Sequence, residues 1–255
     1  MMNFKPLLLS TIMAMGLSAC ATKSPGVKNP MSASGFSKIG KNVTVAIMEP
    51  DVEIKFDRVG STDLRVDWSD KAKANLKAAV IAHLETSGES IVEFKNASIS
   101  QNELDQLLVL NEQVNMAMGQ HVVDIGTTKF LGELPHKKKK SKELNYSLGE
   151  AIRPIKASTK ADYAVFINYR AVIESNGQFM TTAALAAIVS PLFFAFNSDF
   201  RGTMINLVDL NTGEVVWLNA DTGGNVFSSD ARKKKNATKA IDKILDDGPF
   251  VEVTP

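Results

Sequence analysis

The chain has 255 residues, of which 44% are hydrophobic and 22% are charged, as in a globular protein rather than a disordered one. Its 29 basic and 28 acidic residues nearly cancel, which argues against bulk binding of nucleic acid. Its single cysteine, Cys20, excludes an internal disulfide and any cysteine-based metal site.

The N-terminal segment has the pattern of an export signal. Lys5 supplies a positive charge, residues 6–17 are uncharged and largely apolar, and two small residues follow. Residues 17–20, Leu-Ser-Ala-Cys, resemble the bacterial lipobox. The resemblance implies cleavage between Ala19 and Cys20, and then diacylglycerol and an N-acyl chain on Cys20 as the only added groups. The alternative is an ordinary secretory signal with a chance cysteine.

Cleavage would leave 236 residues (255 minus 19) with 28 charges of each sign, because Lys5 is lost with the signal. Ala21 is not the aspartate associated with retention in the inner membrane, so we expect a lipid anchor on the periplasmic face of the outer membrane. We divide the chain into a signal peptide (1–19), a lipidated tether (20–40) and one domain (41–250).

Strands and helices are predicted to alternate in the first half of the domain. Residues 43–48 form a β-branched apolar run typical of a buried strand, and residues 52–59 either extend that strand or pair with it. Ser69 is the expected N-cap of a helix that Gly88 ends. Its inward face should contain Ala72, Leu76, Ala79, Val80, His83 and Leu84.

A second strand and helix follow. Residues 90–94 predict a short strand, and residues 100–103 have the spacing of a capping box before a helix ending near Gly119. Residues 122–142 have the composition of a loop. This order predicts an α/β fold, a single layered domain with a mixed β-sheet flanked by helices. The second helix should turn Leu104, Leu107, Leu110, Val114 and Met118 inward.

In the second half, apolar residues recur at helical spacing over residues 144–155, where Pro154 should bend or end the helix. Residues 162–174 predict a central strand. A hairpin follows, with strands at 201–210 and 214–218. The last helix, capped by Ser228 or Ser229, should bury Ala237, Ala240, Ile241, Ile244 and Leu245.

The strand at residues 163–166 (Tyr-Ala-Val-Phe) and the hairpin at 207–217 (Leu-Val-Asp-Leu-Asn-Thr-Gly-Glu-Val-Val-Trp) resemble those of a group of bacterial envelope lipoproteins. The group includes the curli-secretion lipoprotein, penicillin-binding-protein activator lipoproteins and relatives similar to the N-terminal domain of the Tol translocation protein. The resemblance implies an α/β domain used for assembly or protein contacts, without shared catalytic residues. This chain departs from the group by an apolar insert at residues 179–196.

Few residues point to chemistry. Glu49 and Asp51 follow the first strand, where α/β sheets often hold ligands, but Glu-Pro-Asp is equally good turn chemistry and we expect a turn there. His83 lies on an apolar helix face, and neither His121 nor His136 has the spacing of a helical zinc site.

Two basic runs, 137–140 and 232–235, either meet anionic lipid or an acidic partner, or are solvated surface. Within residues 179–196, Phe193, Phe194 and Phe196 are candidate contacts with a partner or with lipid, although the insert is long enough for a membrane-inserted alternative.

The sequence therefore predicts a non-enzymatic accessory or assembly factor of an envelope machine that acts on a protein partner. The alternatives are a ligand-binding or hydrolytic enzyme with Glu49 and Asp51 near its site, and a channel-forming lipoprotein that uses the insert.

Overall fold

The computed structural model describes residues 31–33, 36, 38–40, 42–58, 61–131, 143–175, 201–221, 230–246 and 248–250. The predictions for the signal peptide, Cys20, both serine caps of the last helix, the basic run 137–140, His136 and the insert 179–196 lie outside these residues.

One mixed β-sheet organises the described part of the chain, and it confirms the predicted α/β class with helices on both faces. The strand order is β4-β3-β7-β8-β9-β1-β6, with β2 also beside β7 and β5 beyond β2. The strands are β1 (Met31–Ala33), β2 (Thr44–Ile47), β3 (Asp51–Arg58), β4 (Ser61–Leu64), β5 (Ser90–Glu93), β6 (Glu143–Leu144), β7 (Tyr163–Glu174), β8 (Arg201–Asp209) and β9 (Val215–Asp221).

The predicted central strand is confirmed as β7, which is 12 residues long and buried on both faces over most of its length. It pairs antiparallel with β8 and parallel with both β2 and β3. Successive side chains of a strand point to opposite faces. Val165 and Ile167 therefore join the core on one side, the front, whereas Ala164 and Phe166 join the core on the other side, the back.

Strands β2 and β3 lie end to end along one edge of β7. β3 therefore extends β2, which confirms one of the two alternatives that the sequence left open for residues 52–59. Ile47 pairs with Val165, but Asp51 pairs with Asn168, so the first segment has one more residue than β7 between the two pairs. The expected turn at Glu49, Pro50 and Asp51 is therefore wrong, because the chain bulges there and continues in the same direction. Pro50 is tolerated at such an interruption because it has no N–H to donate.

The front face is covered by α1 (Val66–Ser87) and α4 (Lys234–Leu245), which bury the predicted apolar residues of both helices against the sheet. Gly88 ends α1 in the left-handed conformation (φ 82°), as predicted. Ser69 is not the N-cap, because α1 begins three residues earlier. Its hydroxyl instead accepts a hydrogen bond from the N–H of Ile54 (3.1 Å) and joins α1 to β3.

The back face is covered by α2 (Gln101–Leu131) and α3 (Arg153–Thr159). The capping box is confirmed, since the Glu103 carboxylate accepts hydrogen bonds from the N–H (3.0 Å) and the hydroxyl (2.6 Å) of Ser100. Two predictions are wrong here. Helix α2 continues past Gly119, so residues 122–131 are helical rather than a loop. Pro154 does not end a helix but stands in the first turn of α3, where its missing N–H costs nothing.

In the part of the chain that the structure describes, no helix has both the length and the apolar character needed to cross a bilayer.

Candidate functional site

A cleft of about 470 Å³ opens on the back of the molecule, beside the turn of the predicted hairpin. We call it the hairpin cleft. One wall is the β8–β9 turn, and the other is a 3₁₀ turn (Gly149–Ile152) that leads into α3. It is lined by Gly149, Glu150, Ile152, Arg153, Lys156, Ala157, Lys160, Leu210, Asn211 and Thr212.

The hairpin turn has a fixed local structure that follows from its Asp-x-x-Thr-Gly sequence. The Asp209 carboxylate accepts a hydrogen bond from the N–H of Asn211 (2.7 Å), and the Thr212 hydroxyl accepts one from the N–H of Glu214 (3.2 Å). Gly213 has φ 78°, a left-handed conformation that disfavours a side chain. These side-chain and backbone requirements explain why this stretch was the clearest motif in the sequence.

Residues 147–149 hold this turn in place through contacts at Gly213, which we call the Gly213 clamp. The Gly213 carbonyl accepts hydrogen bonds from the Ser147 hydroxyl (2.9 Å) and from the N–H of Leu148 (2.8 Å). A Cβ atom added to Gly213 would lie 2.6 Å from the Gly149 carbonyl oxygen, so the two glycine backbones touch. The cleft is therefore a preformed recess whose two walls cannot separate without breaking these bonds.

Three cations give the cleft its charge. Lys156 donates a hydrogen bond to the Ala161 carbonyl (2.7 Å) and lies 3.7 Å from a carboxylate oxygen of Asp162. Arg153 is exposed and pairs with Glu150. Lys160 is exposed and ends α3 in the left-handed conformation. Arg153 and Lys156 each face an acid, so the lining has a small excess of positive charge, which suits an anionic group such as a carboxylate.

The structure separates the two acids that the sequence placed near a possible ligand site. Glu49 accepts a hydrogen bond from Lys77 of α1 (3.0 Å), on the front. Asp51 accepts one from Arg170 (2.6 Å), which follows front-facing Tyr169 in β7 and therefore points to the back. The two carboxylates are each paired, and they do not converge on one pocket.

The pair at Glu49 includes a second acid, since Lys77 also lies 2.8 Å from Glu93. Burial alone lowers the pKa of Lys77, but the hydrogen bonds with Glu93 and Glu49 outweigh it and raise that pKa. The Lys77 amine therefore stays charged at neutral pH and links β5, the β2–β3 bulge and α1.

Of the three histidines, His83 is the one whose side chain the structure describes. It is half-buried, and its Nδ1 lies 3.3 Å from a carboxylate oxygen of Asp242 on α4. Among the described residues, no group of three or more His, Cys, Asp and Glu side chains is placed to hold a metal ion.

A second surface, at the front, was not recognised from the sequence. Trp68 stacks between two arginines, with guanidinium carbons 4.0 Å (Arg65) and 4.1 Å (Arg232) from its ring centroid. Leu64 and Val66 stand beside it with 56% and 60% of their surface exposed. We call these five residues the tryptophan corner. The spacing of Arg65 and Trp68 was the only local signal, because Arg232 comes from a distant part of the chain.

The corner is held by neighbours on both sides. Phe56 packs edge-on against Trp68, with ring centroids 5.5 Å apart and planes at 69°. Asp230 is buried and accepts two hydrogen bonds from the Arg232 guanidinium, both 2.8 Å long. Arg65 bonds Asp67 through two nitrogens (3.2 and 3.1 Å), and this hydrogen bond from Arg65 lowers the pKa of Asp67. Both arginines are thus held in fixed orientations over the Trp68 ring.

No family model matches the chain, and no curated protein matches it. Solved structures with some similarity include the PelC dodecamer from Paraburkholderia phytofirmans, at 11% identity and a TM-score of 0.35, covering 89% of this chain and 97% of that one. Another is the LpoB C-terminal domain from Salmonella enterica, at 13% identity and a TM-score of 0.25, covering 74% and 84%. At these TM-scores neither similarity supports an argument about fold or function.

Proposed function

We propose that this chain is a lipoprotein of the outer membrane, anchored through Cys20, whose periplasmic domain is a non-enzymatic accessory or assembly factor for an envelope machine. It acts through protein contacts. The observation that carries the proposal is the hairpin cleft, because the motif that resembles the envelope lipoprotein group forms one wall of a rigid cationic recess.

The shape and charge of the cleft suit an acidic segment of a partner protein. Its walls are fixed by the Gly213 clamp, so little conformational freedom is lost when a partner binds. Lys160 presents an exposed charge at its rim, and Arg153, which is exposed but paired with Glu150, adds a second cation that could steer and align an acidic chain. The partner is therefore expected to offer Asp or Glu side chains or a C-terminal carboxylate.

The lining gives less support to the alternative of a hydrolytic enzyme. The acid among the lining residues, Glu150, is exposed and already paired with Arg153. The hydroxyl in the lining, that of Thr212, accepts a hydrogen bond from the N–H of Glu214, and Lys156 donates one to the Ala161 carbonyl, so both are already engaged in holding the fold. A small anionic ligand is compatible with the cleft volume and stays an outcome to be tested.

The anchor is tested at Cys20. Mass spectrometry of the mature N-terminus should find cleavage after Ala19 and a triacylated Cys20, and Cys20→Ser should release the protein from membranes, since two acyl signals suffice for stable anchoring. An unmodified Cys20 would overturn the anchor. Co-migration of the lipoprotein with inner-membrane markers in a sucrose gradient would overturn the choice of membrane.

The protein contact is tested by site-specific photo-cross-linking in intact cells. A photoreactive residue at Asn211, in the cleft wall, should give a protein adduct that Arg153→Glu with Lys160→Glu abolishes. The same probe at exposed Glu85, at the C-terminal end of α1, is the control and should give no such adduct. If the Asn211 probe captures no protein, or if the charge reversals leave the adduct unchanged, the cleft is not the contact site.

The insert at residues 179–196 separates this proposal from a channel-forming one. We expect the Cys20→Ser protein to be soluble and monodisperse, or to become so when Phe193, Phe194 and Phe196 are made polar. A Cys20→Ser protein that stays in the bilayer, with residues 179–196 protected from protease only there, would favour the channel instead.

A further inference from the structure

The tryptophan corner continues into a basic surface at the start of α4. Lys233, Lys234 and Lys235 are exposed directly after Arg232, and Lys71 is exposed one helical turn beyond Trp68. These four lysines make no ion pair among the described residues. The nearby acids Asp67 and Asp230 are occupied by the arginines, which leaves Asp70 as the exposed acid of the first turns of α1.

The position of these lysines is unfavourable for the fold. Lys233 is the N-cap of α4, Lys234 and Lys235 form its first turn, and no acid is present there. The N-terminus of a helix carries partial positive charge, so acids are favoured at these positions and cations are disfavoured. Local rules of this kind are most often broken where a surface has a function. An anionic surface facing the lysines would relieve the repulsion.

The corner lies at the end of the sheet where β7 terminates. Leu64 pairs with Lys55 of β3, which in turn pairs with Val172, two residues before the end of β7. The start of α4 is close by, because Asn75 of α1 donates hydrogen bonds to the carbonyls of Ala231 and Arg232 (2.9 and 3.0 Å). Exposed apolar residues, arginines and lysines therefore share one end of the front face.

The first described strand, β1, begins on the side of the sheet that faces this same end. β1 runs antiparallel to β9, with Met31 opposite Leu218 and Ser32 opposite Trp217, so the start of β1 faces the side towards which β9 runs. β9 and β7 both pair antiparallel with β8 and therefore run in the same direction. Eleven positions separate Cys20 from Met31, which allows a reach of about 40 Å at most.

We propose that the tryptophan corner and the lysines at the start of α4 rest on the surface of a bilayer containing anionic lipid, in the leaflet that holds the acyl chains of Cys20. Leu64, Val66 and Trp68 meet the interface between headgroups and acyl chains, while the cations meet the phosphates. The orientation rests on the proposed anchor at Cys20, but the affinity of this surface for lipid does not.

The composition favours a membrane over a protein partner at this surface. Protein interfaces are enriched in Trp and Arg but depleted in Lys, and four of the cations here are lysines on flexible side chains. A lipid surface, in contrast, needs only charge and a few apolar side chains at its edge. Seating this end on the membrane also directs the hairpin cleft away from it, because the cleft lies beyond the start of β7, where Leu210 bonds Asp162.

The test uses the mature Cys20→Ser chain, residues 20–255, so that no acyl chain contributes to binding. It should co-sediment with vesicles of phosphatidylethanolamine and phosphatidylglycerol, less so as salt is raised, and not with phosphatidylcholine alone. Lys234→Ala with Lys235→Ala should weaken binding roughly 30-fold, the effect of removing two lysines from an anionic surface. Brominated lipid should quench the fluorescence of Trp68, with Trp68→Phe as the blank, because Trp217 is buried.

The matched control removes two cations from the back. Arg153→Ala with Lys160→Asn should abolish the photo-adduct at Asn211 but leave vesicle binding unchanged. Lys234→Ala with Lys235→Ala should weaken vesicle binding but leave the adduct unchanged. Equal loss of vesicle binding in both double variants, binding to phosphatidylcholine alone, or no quenching of Trp68 would overturn the membrane surface. If the parent protein gives no adduct at Asn211, the protein contact is overturned but this inference is not.

Discussion

The front and back faces of the sheet are each covered by two helices, but they differ in whether the asparagine side chains between sheet and helices are hydrogen-bonded. On the front, the Asn219 side-chain nitrogen donates a hydrogen bond to the Ile244 carbonyl of α4 (2.8 Å), and Asn75 joins α1 to the start of α4. On the back, Asn111 of α2 and Asn206 of β8 are buried, and the Asn111 oxygen and both amide atoms of Asn206 have no partner among the described residues.

This difference shows where each layer is fixed. The front helices are docked by directional bonds, so the outer surface that carries the tryptophan corner is held in one arrangement. The back layer is held by apolar contacts and by the Gly213 clamp at one end, while its buried amides lower the free energy of unfolding. Substitutions at the clamp and at the buried asparagines of the two layers test this contrast.

The largest effect is expected at the clamp. Gly213→Ala places a Cβ atom 2.6 Å from the Gly149 carbonyl oxygen in a left-handed conformation, and should lower the free energy of unfolding by about 3 kcal/mol in urea denaturation. Gly149→Ala is the control, because its φ is also positive (51°) but nothing lies within 4 Å of the new Cβ. We expect about 1 kcal/mol there. Equal losses would show that the two backbones are not in contact.

A gain in stability is expected at the centre of the back layer. Asn206 lies between residues of the apolar core, so Asn206→Leu should raise the free energy of unfolding by about 2 kcal/mol, because an unpaired amide is replaced by an apolar side chain of similar size. Asn219→Leu on the front should instead be destabilising, since it leaves the Ile244 carbonyl unbonded. A loss at both positions would mean that Asn206 has a buried partner such as water.

A pH-dependent effect of intermediate size is expected just after α1. Glu89 is buried, one of its carboxylate oxygens has no described partner, and burial raises its pKa. The folded state therefore favours the protonated acid, so its contribution to stability is present below the ordinary carboxyl pKa and is lost as the pH rises through the raised value.

Glu89→Gln should remove this pH dependence and raise the free energy of unfolding at pH 7 by about 1 kcal/mol, as urea denaturation across a pH series would measure. The same substitution at exposed Glu85 controls for the loss of one negative charge. If the difference in unfolding free energy between the parent and Glu89→Gln does not change with pH over this range, the prediction is wrong.

The smallest effect is expected at the start of α4. Lys234→Glu replaces a cation with an acid at the positive end of the helix and should raise the free energy of unfolding by about 0.5 kcal/mol. Lys239→Glu, in the middle of the same helix, should change it by less, because the effect is confined to the first turn. Destabilisation by Lys234→Glu would mean that Lys234 is engaged within the fold.

The sequence predicted most of the fold because its signals were local. The apolar run of β7, the capping box at Ser100 and Glu103 and the glycine stop at Gly88 each depend on neighbouring residues, and the structure confirms them. The errors occurred where tertiary contacts override local preference. Ser69 caps nothing because β3 provides its partner at Ile54, and α2 continues past Gly119.

The candidate site was predictable only in part. The turn from Asp209 to Glu214 was recognised, but the cleft also needs residues 146–149, which reach it through backbone bonds that no local pattern encodes. The tryptophan corner needs Arg232, which is 164 positions from Trp68. The separation of Glu49 from Asp51 depends on a one-residue bulge, which decides the face that each carboxylate meets.

The interruption between β2 and β3 also divides one edge of the sheet into two short segments. Beyond β2 and β3, the outer edge consists of β5 and β4, four residues each; β5 is parallel to β2, whereas β4 is antiparallel to β3. A strand from another copy would have to pair in parallel with one segment and antiparallel with the other, across an interruption. Long regular edges promote aggregation, so this divided edge disfavours edge-to-edge pairing between copies of the domain.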